Sequence, residues 1–166
     1  MGRWLALSGA VVALDQLTKF AISALLEPRT VVEVTSFFNL VLVHNRGAAF
    51  SFLASAAGWQ RELFIGIALA ASVWMVWLLR RYPQQRLFSL ALALVLGGAV
   101  GNVIDRIVLG AVVDFLDFHA FGYHWPAFNV ADSAITCGAA LLIWDGVRPQ
   151  RHGVPAAPPA GGNRNR

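Results

Sequence analysis

Residues 87–109 read LFSLALALVLGGAVGNVIDRIVL, and this stretch decides the class of fold. It is apolar over most of its length, and about 20 mostly apolar residues are enough to cross a bilayer as a helix. Its most polar residues gather at one end, where Asn102, Asp105 and Arg106 share a helical face at positions i, i+3 and i+4. The stretch therefore predicts a membrane-spanning helix with a polar face near one membrane surface.

Three other stretches, residues 4–26, 59–79 and 130–147, are also long and apolar enough to span a membrane. Apolar residues make up 57% of the chain and charged residues 13%, against roughly 25% charged in ordinary soluble domains. The sequence thus predicts a mainly α membrane protein with four transmembrane helices in one domain, residues 1–149. The remaining residues, 150–166, are rich in Pro, Gly, Asn and Arg and are predicted to form a disordered tail.

The arginines indicate how the chain is oriented. If the chain crosses the membrane four times, one side receives the N-terminus, the short connection around residues 80–86 and the C-terminus. Positively charged residues are enriched in cytoplasmic loops, so both termini and the tail are predicted to be cytoplasmic. The formal charge of +4 forms no basic patch interleaved with aromatic residues, which argues against nucleic acid as a partner. The arginines on this side are Arg3, Arg80, Arg81, Arg86, Arg148 and Arg151.

Two connections, residues 27–58 and 110–129, are predicted to face the opposite, external side. Within the first connection, residues 31–34 and 37–43 are rich in β-branched and aromatic side chains. This composition predicts two short strands. They are apolar enough to lie on the membrane surface.

Charged side chains inside the predicted spans indicate partners or a functional site, because a charge at mid-bilayer costs at least about 2.5–3.5 kcal/mol on insertion scales. Asp15 and Lys19 lie one helical turn apart on one face of the first span. They can form an ion pair with each other, Lys19 can extend to the membrane surface, or both can belong to a polar site. For Asp105 we favour a structural role, in which it orients the site together with Arg106.

Two aspartates are predicted to meet at the external membrane surface. Asp114 lies shortly after the third span, and Asp132 lies at the start of the fourth span on the same side. Asp132 alone could be a helix N-cap, although Asn129 or Ser133 can compete for that position. Two carboxyl groups at close range can share a proton, so that one activates a water while the other donates to a carbonyl or a leaving nitrogen. Such a pair titrates as a unit, and the sequence does not assign the proton to either residue.

Other catalytic arrangements find less support in the sequence. The histidines form no HExxH pattern, and neither a metal nor another cofactor is predicted. No Gly-x-Ser-x-Gly motif is present, but a serine–lysine dyad that uses Lys19 stays open. Cys137, the single cysteine, lies in the apolar run of the fourth span and is predicted to be a small core residue.

Five sequence blocks in a fixed order resemble one protein family. They are residues 15–19 (DQLTK), 45–50 (NRGAAF), 97–106 (GGAVGNVIDR), 112–115 (VVDF) and 128–132 (FNVAD). Each block alone is weak evidence, but together they cover about residues 4–148 and are very specific. The chain is similar to the bacterial lipoprotein signal peptidases, also called signal peptidase II. It departs from the family pattern at Arg46, where a small polar residue such as Thr is usual.

The resemblance implies both an architecture and an activity. It implies a four-helix bundle in the inner membrane with a small periplasmic β-cradle and an active site near the periplasmic face. It further implies an aspartic endopeptidase that works among membrane lipids on prolipoproteins with a diacylglyceryl cysteine, cutting on the amino side of that cysteine. Asp114 and Asp132 are the implied catalytic pair. The implied supporting residues are Asp15, Lys19, Asn45, Gly47, Asn102, Asp105, Arg106, Asn129 and Ala131.

Two other classes of function stay open from the residues alone. A small transporter or channel would line a pathway with intramembrane charges, and its carboxylates should follow that path and not gather at one face. A non-enzymatic assembly subunit would bury the same charges at a partner interface, so neutralising the aspartates would change assembly before any activity. A diaspartyl protease of the presenilin type is not indicated, because no Gly-x-Gly-Asp motif is present.

Overall fold

The computed structural model describes residues 1–28, 30–47 and 59–148; the predicted tail at residues 150–166 lies outside them. Within the described residues, four helices are long and apolar enough to cross a membrane. They confirm the four predicted spans, with ends that differ by at most two residues. The helices are α1 (Gly2–Leu25), α2 (Gln60–Arg81), α3 (Arg86–Val108) and α4 (Val130–Val147).

Helix α3 is the central helix of the bundle and packs against each of the other three. In its most apolar stretch 56% of the residues are buried inside the protein, against 11% in α2, so α2 leaves most of its surface to lipid. Leu92 and Leu96 of α3 form one apolar cluster with Met75 and Leu79 of α2. The polar end of α3 packs against α1 and α4, and the start of α2 also reaches it, since Arg61 donates to the carbonyls of Arg106 and Ile107.

Glycines in α3 let the neighbouring helix backbones approach closely, as small residues do in membrane bundles. A Cβ atom at Gly97 would lie 2.8 Å from the carbonyl oxygen of Ser8 in α1. A Cβ atom at Gly98 would collide with the carbonyl oxygen of Ala131 in α4. The close approach of α4 to α3 therefore depends on the missing side chain at Gly98.

Substituting Gly98 with alanine is expected to destabilise the bundle by about 1–3 kcal/mol, because an overpacked side chain must displace backbone. The matched control is Gly66→Ala in α2, where an added Cβ atom meets nothing within 4 Å. Alanine is the better helix former, so the control should be neutral or stabilising by up to about 1 kcal/mol. Thermal unfolding in detergent micelles measures both variants. Equal melting temperatures for Gly98→Ala and the wild type would contradict this account of the packing.

A small antiparallel sheet adjoins the end of the bundle at which α1 and α3 finish and α4 begins. Its first two strands confirm those predicted at residues 31–34 and 37–43. The sequence does not predict the other two strands, which lie between α3 and α4. In spatial order the strands are β1 (Val31–Thr35), β2 (Phe38–Asn45), β3 (Val112–Ala120) and β4 (Tyr123–His124).

Strand β3 carries Asp114 and forms by pairing with β2. Asp114 lies opposite Val43, and Val112 lies opposite Asn45. The residues from Val112 to Phe115 are all buried. The strand therefore lacks the alternation of apolar and polar residues by which a half-buried strand is found in a sequence. The segment 110–129, interpreted from the sequence as a connection, thus contains two strands.

A sharp turn at Gly110 brings Asp114 close to the end of α3. Leu109 closes the helix by donating its backbone N–H to the carbonyl of Asp105 at 2.7 Å. Gly110 then adopts a φ of 74°, a left-handed conformation that favours glycine. The sheet is held against α1 by an apolar cluster of Ile22, Leu42, Val113 and Phe115.

Cys137 is exposed on α4 and lines a cavity, so its prediction as a core residue is wrong. Helix α4 is apolar around most of its circumference, and hydropathy alone does not reveal which face packs against α3. The buried face carries the small residues Ala131, Ala134 and Gly138. The face with Cys137 is therefore open to the cavity.

Candidate active site

A cavity of about 880 Å³ lies between the sheet and the ends of α3 and α4. Asp114 of β3 and Asp132 of α4 both line it, so the structure brings together the two aspartates that the sequence singles out. Asn45, Asn102 and Arg106 line the same cavity. Its volume lies within the range of roughly 300–1,000 Å³ that is usual for ligand pockets. A segment of extended peptide can enter such a space.

Both carboxylate oxygens of Asp114 accept hydrogen bonds from asparagine amides. Asn45 donates from Nδ2 to Oδ2 at 3.0 Å, and Asn129 donates from Nδ2 to Oδ1 at 2.7 Å. Burial raises the pKa of Asp114 to about 7, and the negative charge of Asp132 adds to the rise. The two hydrogen bonds and the positive charge of Lys19 oppose it. The carboxyl group of Asp114 can therefore hold a proton near neutral pH.

Asn129 is the N-cap of α4 and links the two aspartates. Its side-chain Oδ1 accepts the backbone N–H of Asp132 at 2.8 Å, so Asp132 is free of the capping role. Because the nitrogen of the same amide donates to Asp114, Asn129 fixes the two aspartates relative to each other. Oδ1 of Asp132 accepts a further hydrogen bond from Nδ2 of Asn102 at 2.8 Å. Asn129 is completely buried, so these hydrogen bonds are shielded from water.

Lys19 lies between two buried carboxylates. Its Nζ atom is 2.8 Å from Oδ2 of Asp15 and 2.8 Å from Oδ2 of Asp105. It also donates to Oδ1 of Asn102 at 3.0 Å, so the amide of Asn102 presents its nitrogen to Asp132. Lys19 is 3% exposed. This confirms the ion-pair interpretation and contradicts the one in which Lys19 reaches the membrane surface.

The two carboxylates of this cluster also hold the elements that carry the aspartate pair. Oδ1 of Asp15 accepts the backbone N–H of Ala131 at 2.9 Å, one residue before the aspartate of α4. Oδ2 of Asp105 accepts the backbone N–H of Val113 at 3.1 Å, one residue before the aspartate of β3. The cluster therefore supports both halves of the pair through the backbone.

Arg106 donates to backbone carbonyls at the edge of the cavity. Its Nη1 bonds to the carbonyl of Asn102 at 3.2 Å and its Nη2 to the carbonyl of Gly47 at 3.1 Å. Its guanidinium also lies over the ring of Phe64, with Cζ 5.3 Å from the ring centroid. Asp105 and Arg106 both hold elements around the cavity, but through different partners. Asp105 pairs with Lys19 and accepts the backbone N–H of Val113, whereas Arg106 holds the carbonyl of Gly47.

The sequence of the chain matches the model of one protein family. The model of the Signal peptidase (SPase) II family matches residues 7–148. This chain belongs to the signal peptidase II family. The expected resemblance is thereby confirmed, and with it the class of enzyme, an aspartic endopeptidase of the membrane.

Individual relatives of this peptidase are similar over nearly its whole length. A lipoprotein signal peptidase of Ralstonia nicotianae is 60% identical over 151 residues, which are 91% of this chain and 87% of the relative. A lipoprotein signal peptidase of Burkholderia vietnamiensis is 58% identical over 148 residues, which are 89% of each protein. Membership in the family supports the removal of signal peptides from lipoproteins as the activity of this chain.

Solved structures agree with the fold of the peptidase. Two structures of bacterial membrane enzymes obtained by the in meso method, at 2.3 and 1.9 Å resolution, each superpose with a TM-score of 0.79 and 33% identity. The first covers 87% of both chains, and the second covers 89% of this chain and 94% of its own. A mostly helical membrane fold with four spans and a small antiparallel sheet is thereby confirmed.

Gln16 is a polar residue of the peptidase that sequence reasoning did not single out. Its Nε2 donates to Oδ1 of Asp105 at 2.9 Å and to the carbonyl of Gly101 at 3.2 Å. It also lies 3.2 Å from Oδ2 of Asp15. Gln16 thus ties α1 to α3 beside the ion-pair cluster. Its place in the block at residues 15–19 was the signal that could have identified it.

A second polar cluster of the peptidase, around Asp117 in β3, was also missed. Asn39 donates to Oδ2 of Asp117 at 2.9 Å, and Nδ1 of His124 lies 2.9 Å from Oδ1. Although burial raises the pKa of Asp117, these hydrogen bonds and the positive charge of His124 lower it overall. The cluster fixes the turn back along β3, where the backbone N–H of Trp125 donates to the carbonyl of Phe118 at 2.7 Å. It therefore holds one wall of the cavity, which Trp125 lines.

Proposed function

We propose that this peptidase removes signal peptides from prolipoproteins whose cysteine carries diacylglycerol, and that Asp114 and Asp132 are its catalytic pair. The observation that carries the proposal is the shared amide of Asn129, which holds both aspartates at one cavity. The scissile bond lies on the amino side of the lipid-modified cysteine.

The aspartate pair acts on the peptide bond through a single shared proton. One carboxylate removes a proton from a water molecule, which attacks the scissile carbonyl carbon. The other carboxyl group, which is protonated, donates to the carbonyl oxygen. As the C–N bond breaks, the first carboxyl group gives the proton taken from water to the leaving nitrogen, and the diol hydroxyl returns its proton to the second carboxylate. The raised pKa of Asp114 keeps one proton available near neutral pH. The proton belongs to the pair and is not assigned to one residue.

The polar residues around the pair position it and do not react. Asn45 and Asn129 hold Asp114, and Asn102 holds Asp132. Lys19 orients the amide of Asn102 by donating to its Oδ1 atom. The remaining supporting residues act through hydrogen bonds to the backbone. Asp15 accepts the N–H of Ala131, Asp105 accepts the N–H of the residue before Asp114, and Arg106 donates to the carbonyl of Gly47.

The peptidase spans the bacterial inner membrane with both termini in the cytoplasm and the sheet and cavity at the periplasmic face. The arginines at the far end of α2 and the start of α3, Arg80, Arg81 and Arg86, support this orientation, because cytoplasmic loops are enriched in positive charge. The signal helix and acyl chains of the substrate lie in lipid, and the attacking water comes from the sheet side. The buried carboxylates gather at that same end, which disfavours a transport pathway along the bundle.

The test of this function is cleavage by the purified peptidase in lipid nanodiscs. A diacylglyceryl-modified prolipoprotein and the same precursor without the modification are supplied separately, and mass spectrometry locates the cut. We expect cleavage directly before the modified cysteine and at least about tenfold slower cleavage of the unmodified precursor, since one buried interaction is worth that factor or more. Equal cleavage of both precursors, or a cut elsewhere, would contradict the proposed substrate.

The raised pKa of Asp114 predicts that the peptidase loses activity in alkaline solution. The ordinary value is 3.8 and the folded value about 7, so the folded protein binds this proton more tightly than the unfolded chain. The stabilisation it brings is fully present below about pH 4 and is lost as the pH rises through about 7. The shared proton is lost over the same range, so kcat should fall about tenfold per pH unit above about pH 7.

Initial rates between about pH 5 and pH 9 measure this alkaline limb, with melting temperatures recorded in parallel to separate loss of activity from unfolding. A kcat that stays constant up to about pH 9 would show that catalysis does not need the proton of the pair.

A further inference from the structure

We propose that Arg46 forms an anion subsite beside the aspartate pair and favours prolipoproteins with an acidic residue directly after the lipid-modified cysteine. The inference rests on the proposed function and adds to it a substrate preference. Its ligand is the carboxylate of an aspartate or glutamate side chain.

The position of Arg46 is set by its neighbour in the chain. Asn45, the last residue of β2, donates its side-chain amide to Asp114 at 3.0 Å. Arg46 follows directly, is exposed and lines the same cavity as both aspartates. A group that enters the cavity to reach Asp114 therefore passes within reach of the guanidinium.

Arg46 and Arg106 differ in what already occupies their guanidinium groups. Arg106 donates to the carbonyls of Asn102 and Gly47 and covers Phe64. Arg46 has no hydrogen-bond or ion-pair partner among residues 1–28, 30–47 and 59–148. Its five N–H donors are arranged to match a carboxylate in a bidentate manner. An incoming carboxylate thus finds an unoccupied partner at this point of the cavity.

The charge of the aspartate pair disfavours an acidic substrate unless a cation is available, and the guanidinium of Arg106 in the same cavity already donates to backbone carbonyls. With one shared proton, Asp114 and Asp132 together carry one negative charge, which repels a substrate carboxylate brought close to them. Lys19 is turned away into its ion-pair cluster. The positive charge of Arg46 lines the same cavity and offsets the repulsion. A substrate with an acidic residue near the scissile bond is then accepted.

The acidic residue must lie on the mature side of the cleavage site. The signal segment before the cysteine crosses the bilayer, where a charged side chain costs at least about 2.5–3.5 kcal/mol. The chain after the cysteine leaves the membrane, so a carboxylate there stays in water until it meets the site. Arg46 lies outside the four spans, between β2 and α2. It is therefore on the side of the membrane where the chain after the cysteine emerges.

The test compares two lipid-modified substrates that differ only in aspartate or asparagine directly after the cysteine. The ratio of their kcat/KM values is measured for wild type, Arg46→Gln, Arg46→Lys and Arg46→Glu. We expect Arg46→Gln to lower the aspartate-to-asparagine ratio by about two- to fivefold, the range of exposed charge pairs, and Arg46→Lys to retain most of the wild-type preference. Arg46→Glu should lower the ratio further and favour a third substrate with lysine at this position.

The matched control is Arg81→Gln, which makes the same change in net charge at the other end of α2 and should leave the ratio as in the wild type. Raising the salt concentration should reduce the wild-type preference, because exposed charges are screened.

An unchanged ratio in Arg46→Gln overturns the proposal. So does a ratio that follows the anionic lipid content of the nanodisc, since the guanidinium then binds lipid phosphate. Cleavage of the asparagine substrate with an unchanged ratio refutes the subsite alone, whereas no cleavage of either substrate refutes the proposed function as well.

Discussion

Replacing Asp132 with asparagine is expected to lower kcat by at least about a thousandfold, because general acid and base steps contribute about 10²–10⁴ each and this residue takes part in both. The substitution should leave the fold intact. Oδ1 of Asp132 accepts from Asn102, and its other oxygen has no protein partner among the residues that the structure describes. The new amide nitrogen can therefore point into the cavity. Substrate binding and the melting temperature should stay close to the wild type.

Asp114→Asn is expected to abolish turnover to the same extent, but with a cost in stability. Both oxygens of Asp114 accept from amide nitrogens, those of Asn45 and Asn129, so an asparagine must turn its own NH2 group toward one of these donors. One buried hydrogen bond is lost, and stability should fall by about 1–3 kcal/mol. The two variants thus differ in stability although their loss of activity is alike.

The matched control for both variants is Asp145→Asn, an aspartate of α4 near the end of the helix remote from the sheet. It should change kcat by less than about twofold, since surface substitutions away from a site have small effects. Substantial turnover by Asp114→Asn or Asp132→Asn would rule out the pair as the catalytic centre. Chemistry based on Lys19 and Ser133 would then have to be considered again.

Lys19→Met is the substitution with the largest expected effect on stability, about 3–5 kcal/mol of destabilisation. The lysine is buried between Asp15 and Asp105, and methionine leaves two carboxylates without the charge that balances them. The amide of Asn102 also loses its hydrogen bond from Lys19, so its orientation toward Asp132 is no longer enforced. Activity should therefore fall even at temperatures where the variant stays folded.

A second substitution separates the electrostatic cost of Lys19→Met from simple loss of packing. Asp105→Asn removes one of the two carboxylates but keeps an oxygen that can accept the N–H of Val113. The double variant should thus be more stable than Lys19→Met alone, which a double-mutant cycle in chemical or thermal unfolding detects. Purely additive effects of the two substitutions would show that the cluster is not held by charge.

The sequence predicts the parts of this peptidase that depend on local composition. The four spans follow from hydropathy, and the strands β1 and β2 follow from runs of β-branched residues. Asp114 and Asp132 are found because each lies next to a predicted span end. These features need no knowledge of which elements are neighbours.

The features that the sequence does not predict depend on contacts between distant elements. Strand β3 is rich in Val and Phe, but Asp114 and Asp117 interrupt its apolar run, and its pairing with β2 is what identifies it. Asn39 and Asp117 are 78 residues apart, yet they form one hydrogen bond. The exposed position of Cys137 depends on which face of α4 meets α3, and the helix is apolar around most of its circumference. Such features require the tertiary packing.

The linked hydrogen bonds around the aspartate pair limit how the peptidase can acquire drug resistance. An inhibitor that hydrogen-bonds only to Asp114, Asp132 and Asn102 touches cavity-lining side chains that are each already hydrogen-bonded to another part of the site. A mutation that weakens the inhibitor at one of these positions also removes a carboxyl group of the pair or a hydrogen bond to one, so we expect it to lower activity. Arg46 and Cys137 line the same cavity but form no hydrogen bond to the aspartate pair among the described residues. Mutations there should cost less activity, so resistance to compounds that bind them should arise first.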